Sequence, residues 1–371
     1  MPKHLSLRRI TAAAVCTVAI AGCSSSDDSA PPAIATSFSE PSAGAAQRLA
    51  VASVTELATP PNGLIPGSKL FATERGLVLW GVRDSASGQV TAARYSVQDN
   101  KWTRLDFPTM SRPPNESGLD VSVVATGTEL LILGRENLSL DLSTGKWHQV
   151  AEMPRPFPTS AFAFWTGSQA VVIGGSTPPA PAETPFVGQA FDPIANSWRA
   201  IATPPEKIRL VNGSLTSGAV LWTGKEALVF ASRDDVTTPS TVLFLTYDPA
   251  TDKWRVESSP LDGGMPETGA TDGRTAYWVH KLTAAAGLDL DTRQRIEVPS
   301  LPIQNESRLA LVDGQLVGLY GSAPLVVFDA GTKHWLGGSS ISGKIAVVDG
   351  RTLYVIDNSN AKPRFSRVIS G

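Results

Sequence analysis

The chain of 371 residues is long enough for one large or two average domains; 42% of it is apolar and only 18% charged, with 32 glycines and 28 prolines. That balance favours many short strands joined by turns over long helices. A formal charge of −2 offers no basic surface for nucleic acid, and two cysteines, Cys16 and Cys23, exclude a disulfide framework.

Lys3, His4, Arg8 and Arg9 make a positive start, and an apolar stretch runs from Ile10 to Ala21. About a dozen residues are too few to span a bilayer but suit the hydrophobic region of a signal peptide. The stretch closes on Ile20-Ala21-Gly22-Cys23 and turns polar at Ser24-Ser25-Ser26-Asp27-Asp28. This order resembles the bacterial lipobox. The resemblance implies a lipoprotein signal peptide over residues 1–22, cleavage before Cys23, and lipidation of Cys23 through a diacylglyceryl thioether, with N-acylation by a fatty acid such as palmitate. Two or more acyl chains anchor a protein stably, so the expected location is the outer face of the cell membrane. Arg8-Arg9 follows Leu7 rather than serine, which argues against twin-arginine export. Loss of Lys3, Arg8 and Arg9 takes three positive charges from the mature chain, bringing −2 to near −5. Residues 23–46 are rich in Ser, Ala and Pro and poor in large apolar side chains, the composition of a flexible tether.

From there the chain repeats. A turn followed by four or five apolar residues occurs at Glu74–Gly81, Thr126–Gly134, Thr166–Gly174, Thr223–Ala231, Asp272–His280, Asp313–Gly321 and Asp349–Asp357. Short, β-branched and aromatic-rich runs bounded by turn residues predict buried strands. A second unit, Tyr247-Asp-Pro-Ala-Thr-Asp-Lys-Trp254, has relatives at Tyr95–Trp102, Leu140–Trp147, Phe191–Trp198, Phe328–Trp335 and a degraded Leu288–Arg295. The large residue and the Trp position are always seven apart. Asp-Pro-x-Thr is turn chemistry, so each unit predicts a hairpin with a large residue in one arm and Trp in the other.

The pattern resembles the kelch repeat, of the galactose oxidase central-domain type, over roughly residues 47–371. Its paired glycines survive at Gly174-Gly175. The resemblance implies an all-β propeller with four antiparallel strands per blade. Seven blades are expected, because Val54–Pro61 matches Trp198–Pro205 in frame and so supplies the outer strand of a last blade that lacks its own Trp arm. Six blades with a stray edge strand is the alternative. Kelch folds also carry copper radical oxidases that need a cysteine cross-linked to tyrosine. This domain has no cysteine.

No catalytic motif stands out: there is no Gly-x-Ser-x-Gly elbow, no phosphate loop, and no His or Cys pair at metal-ligand spacing. No cofactor and no metal are expected. The nine tryptophans all fall at repeat positions or in apolar runs, which assigns them to the core rather than to a sugar platform. Strand alternation puts the loops after the apolar run and those after the Trp strand on one side of the ring, and function concentrates on loops held by a rigid scaffold. Arg83, Arg135, Arg155, Arg233 and Lys281 are the candidate ligand-binding residues there, since guanidinium forks suit carboxylates. The first functional reading is a non-catalytic, monomeric binding propeller, anchored in the membrane through Cys23, that recruits an envelope protein or glycan. A metal-independent carbohydrate-acting enzyme, such as a mutarotase or lyase, and a structural subunit of an envelope complex are the alternatives.

Overall fold

The computed structural model describes residues 51–370 except 84–89, 107, 109–120, 135, 155–160, 175–185, 210–218, 234–241, 303–307, 322, 338–340, 344 and 359–361. The signal peptide, Cys23 and the tether lie outside the described residues. Within them every regular element is a strand, and no helix is long and apolar enough to cross a membrane.

The strands form seven antiparallel sheets. Blade 1 is β2 (Leu64–Thr73), β3 (Gly76–Arg83), β4 (Val90–Ser96) and β5 (Lys101–Leu105), counting β1 (Val51–Glu56) ahead of it. Blade 2 is β6 (Ser122–Ala125), β7 (Glu129–Leu133), β8 (Leu138–Asp141) and β9 (Trp147–Gln149). Blade 3 is β10 (Phe162–Trp165), β11 (Ala170–Gly174), β12 (Val187–Asp192) and β13 (Ser197–Ala200). In blade 4, β14 (Ile208–Arg209) and β15 (Val220–Trp222) both pair with β16 (Ala227–Arg233), followed by β17 (Val242–Asp248) and β18 (Lys253–Glu257). Blade 5 is β19 (Pro266–Thr271), β20 (Thr275–His280), β21 (Ala284–Asp289) and β22 (Arg295–Val298). Blade 6 is β23 (Arg308–Val312), β24 (Gln315–Leu319), β25 (Val326–Asp329) and β26 (His334–Gly337). Blade 7 joins β27 (Ile345–Asp349), β28 (Thr352–Asp357) and β29 (Arg364–Ser370) to β1.

The innermost strands touch in a closed circuit: β2, β6, β10, β15, β19, β23, β27 and back to β2. Seven blades, rather than six with a loose strand, are therefore what forms. The expected closure holds in register, with Val54 opposite Val368 and Leu57 N–H donating to Phe365 O. The same geometry recurs at Trp198 opposite Phe191 and Ile201 N–H on Gly188 O, the in-frame match read from sequence. The inner edge of blade 4 departs from the plain pattern, being divided between two short strands. Blade 1 bends in a similar place, with a register shift between Leu64 and Lys69.

Each blade is covered on both faces by its neighbours, so its second strand is apolar at successive positions rather than alternately. Leu130, Leu131, Ile132 and Leu133 are all fully buried. The turn ahead of that strand explains the Thr-Gly repeat. Thr126 Oγ1 accepts Glu129 N–H at 3.0 Å while Gly127 takes φ +98°, a left-handed conformation that disfavours side chains. Thr166 and Thr223 make the same bond. The Trp hairpins also follow the prediction: Tyr95–Trp102, Leu140–Trp147, Phe191–Trp198, Tyr247–Trp254, Leu288–Arg295 and Phe328–Trp335 stand directly opposite one another. Their turns are held by aspartates, as where Asp141 Oδ1 accepts Ser143 N–H at 2.7 Å.

Between blades the tryptophans act as latches. Each indole donates to the carbonyl four residues after the Trp position of the preceding blade: Trp102 to Ala58, Trp147 to Asp106, Trp198 to Ala151, Trp254 to Ala202 and Trp335 to Pro299. In three of these seams the bond is returned, since Asn100, Asn196 and Asp252 accept the N–H of Ala58, Ala151 and Ala202. Trp80 and Trp278 are buried in apolar strands, and Trp222 stacks on Phe164 at 5.1 Å. The tryptophans are structural.

Candidate functional site

Topology sends two sets of connections to one side of the ring, called upper here: those leaving the second strand of each blade and those leaving the fourth. Among the five candidate binding residues, Arg135 and Arg155 lie outside the described residues. Arg233 ends β16 opposite Ile208, and its side chain is not described. Arg83 ends β3, is half-buried, and donates its N–H to Gly63 O at 2.7 Å. Lys281 is exposed in the turn after β20. Arg83 and Arg233 are thus the last residues of second strands and Lys281 the first residue after one.

The rim of blade 5 can be followed most closely. Lys281 and Leu282 have φ +49° and +73°, a tight left-handed turn that non-glycine residues adopt at a cost. Two bonds hold it. Leu282 N–H donates to Glu267 Oε1 at 2.7 Å, and Lys281 Nζ donates to Asp262 O at 3.1 Å. Asp262 in turn receives both terminal nitrogens of Arg295, at 2.6 and 2.8 Å, a bidentate fork. That contact holds the Asp262 carboxyl below its ordinary range. Arg295 occupies the Trp position of this blade, so a guanidinium fork stands where an indole latch stands elsewhere.

Beneath the turn lies His280, 3% exposed, with Nδ1 lacking a hydrogen-bond partner among the described residues. Gly264, at φ +88°, passes close above it, and a Cβ there would lie 3.8 Å from Nδ1. Burial, and then the Lys281 charge, pull the imidazole pKa below 6.5. Strand order in the sequence puts His280 on this side, at the end of an apolar run and next to Lys281, though not among the candidate binding residues; its burial was not legible there. Arg308, first residue of β23, begins the inner strand of the next blade, and burial pulls its guanidinium below the usual arginine range.

The opposite, lower side carries an ion network that sequence reading missed. It bridges blades 4 and 5. Glu226, ahead of β16, receives Arg255 Nη2 of β18 at 2.7 Å and Arg293 Nη2 from the hairpin of blade 5. Glu257 Oε1 accepts Thr246 Oγ1 at 3.1 Å and Arg255 Nη2 at 3.3 Å, while Arg293 Nη1 stands 3.7 Å from its other oxygen. Among the described residues no group of three His, Cys, Asp or Glu side chains converges as a metal site requires.

No family model matches the chain. A curated relative, the kelch-like protein terF of Aspergillus terreus, is 29% identical over 162 residues, which is 41% of this chain. The chain spans about a third, 34%, of that relative's length. Among solved structures, an oligogalacturonate lyase in complex with manganese aligns at TM-score 0.54 and 13% identity, covering 87% of this chain and 92% of its own. The structure of YjhT aligns at TM-score 0.44, also at 13% identity, over 66% of this chain and 92% of its own. At such identities the likeness to solved structures is one of fold.

Proposed function

We propose that this kelch-type seven-bladed propeller is a non-catalytic binding module, anchored by lipid on Cys23 at the outer face of a cell membrane, that recruits an envelope protein or glycan through its upper connections. The observation that carries the reading is where the chain enters the ring. β1 is the outermost strand of blade 7, and Val51 at its start pairs with Ser370 on the side away from the upper connections. A tether arriving there meets the perimeter and leaves the upper rim, with Arg83 and Lys281, facing outward.

The rim of blade 5 favours binding over catalysis. A general acid or base must reach a substrate proton, whereas His280 is covered by the Gly263–Gly264 turn and 3% exposed. Lys281 and Arg83 sit on strand ends that the blades hold firmly, the arrangement expected of residues that present charge to an acidic partner.

Two variants test the parts separately. Cys23→Ser is expected to move the folded protein out of the membrane fraction. Persistent sedimentation of an exported, cleaved variant after a high-salt wash would remove lipid anchoring from the reading. Replacing Arg83, Arg135, Arg155, Arg233 and Lys281 together with Gln is expected to abolish crosslinking to the envelope partner in intact cells with little change in the melt. Undiminished crosslinking would move the binding surface off the upper side.

A further inference from the structure

The lower seam between blades 4 and 5 forms an open pocket of about 190 Å³, lined chiefly by Lys225, Glu226, Asp248, Arg255, Asp291 and Arg293. At roughly 30 Å³ per water in the liquid, that is room for about six waters or one compact organic solute. The two blades approach closely here: a Cβ on Gly273 would lie 2.7 Å from Thr223 O.

Charge accounting decides what fits. Glu226 and Glu257 are neutralised from within by Arg255 and Arg293. Asp248 is tied into its own hairpin, accepting Ala250 N–H at 2.9 Å and Thr251 Oγ1 at 2.8 Å; these neutral donors leave its negative charge in place, near Arg255. What is left over is specific. Arg255, with 53% of its side chain exposed, engages the glutamates through Nε and Nη2, and its Nη1 meets no acceptor among the described residues. The exposed side chains of Lys225 and Asp291 likewise make no hydrogen bond or ion pair among the described residues. Free donors therefore stand on blade 4 and a free carboxylate on blade 5.

We propose that this pocket is a binding site for a small zwitterion, such as a free amino acid or a dipeptide, with its carboxylate on Arg255 and Lys225 and its ammonium on Asp291. A simple anion would be drawn to Arg255 and Lys225 but repelled by Asp248 and Asp291, and a simple cation would meet the reverse. Only a solute carrying both charges satisfies both walls. The seam also bears a mark that clusters at functional sites: the buried Nη1 of Arg293 has no hydrogen-bond partner among the described residues, its nearest carboxylate oxygen being that of Glu257 at 3.7 Å. A ligand spanning the two walls would tie blades 4 and 5 together. This site lies on the side opposite the proposed recruiting surface and does not depend on it.

The test is thermal denaturation and titration calorimetry on the full chain with L-alanine and glycylglycine, against acetate and methylammonium. A saturable rise in melting temperature with a zwitterion, at least tenfold tighter than with either single-charge probe, is expected. Lys225→Gln/Asp291→Asn should weaken it tenfold or more. Since neither side chain bonds another described residue, the unliganded melt of that variant should match the parent. Acetate or methylammonium binding as tightly as the zwitterions would overturn the proposal, as would no saturable binding at all or undiminished binding by the double variant.

Discussion

Asn100, Asn196 and Asp252 hold φ of 48°, 47° and 52°, and each also caps an alanine N–H of the preceding blade. Left-handed backbone suits Asn and Asp better than most residues, so one side chain answers a local need and a long-range one. Blade 6 shows the converse. Lys333 takes the same conformation, φ 54°, but the residue it would cap is Pro299, which has no N–H. Asn196→Ala is expected to cost about 1–2 kcal/mol in urea denaturation, from a lost hydrogen bond plus left-handed strain. Asn196→Gly should recover part of it, and Lys333→Asn should bring no comparable gain. A pH signature belongs to His280. Its folded pKa is depressed by burial and by Lys281, so the unfolded chain takes up the proton at higher pH than the folded one. The resulting stability is complete above about pH 6.5 and is lost as pH falls through the folded value. Urea midpoints at pH 7.5, 6.5 and 5.5 should show that decline, and His280→Gln should flatten it; an unchanged slope would place the titration elsewhere.

The hairpins were the most legible elements, because Tyr95 and Trp102 or Tyr247 and Trp254 sit seven residues apart and the turn chemistry between them is local. Even the degraded Leu288–Arg295 arm forms in register. The seam network was not legible, since Glu226 and Arg293 are 67 residues apart and only a closed ring brings them together. One signal was present: two residues before the Trp position, where three of the other five repeats have Asn or Asp, this one has Arg293. The divided inner edge of blade 4 had no counterpart in the pattern, because Ile208–Arg209 is too short to show a period. On the upper side, Lys281 could be placed by strand order, but its bond to Asp262 O could not, because that loop follows no repeat. The two kinds of seam should respond differently to mutation. Trp254→Phe keeps the ring and loses the bond to Ala202 O, at about 1 kcal/mol and with little salt dependence. Glu226→Gln removes the shared negative charge and one of the two oxygens that accept from the arginines, its side chain being 10% exposed, and is expected to cost about 1–3 kcal/mol, less in high salt. Chemical denaturation at 0.05 and 1 M NaCl separates them.

For the molecule as a whole, closure rests on β1. Deleting everything through Pro61 strips the outer strand from blade 7 and leaves β29 with an open edge, whereas deleting residues 24–46 touches no described strand. The first truncation should lower the melting temperature by roughly 5–10 °C, as a loss of a few kcal/mol would in a domain of this size or smaller, and the second by almost nothing. Equal melts would mean that the ring holds without its first strand. The same pairing has a consequence for how the protein is made. Val54 finds Val368 314 positions further along the chain, so β1, the first of the described strands to be synthesised, must wait, unpaired, for β29, the last of them. Contacts of such long sequence separation form late. A chain broken off anywhere before β29 is complete can build blades but cannot shut the circle, and it keeps open strand edges. Ring closure thereby waits on β29, whichever blades have formed before it.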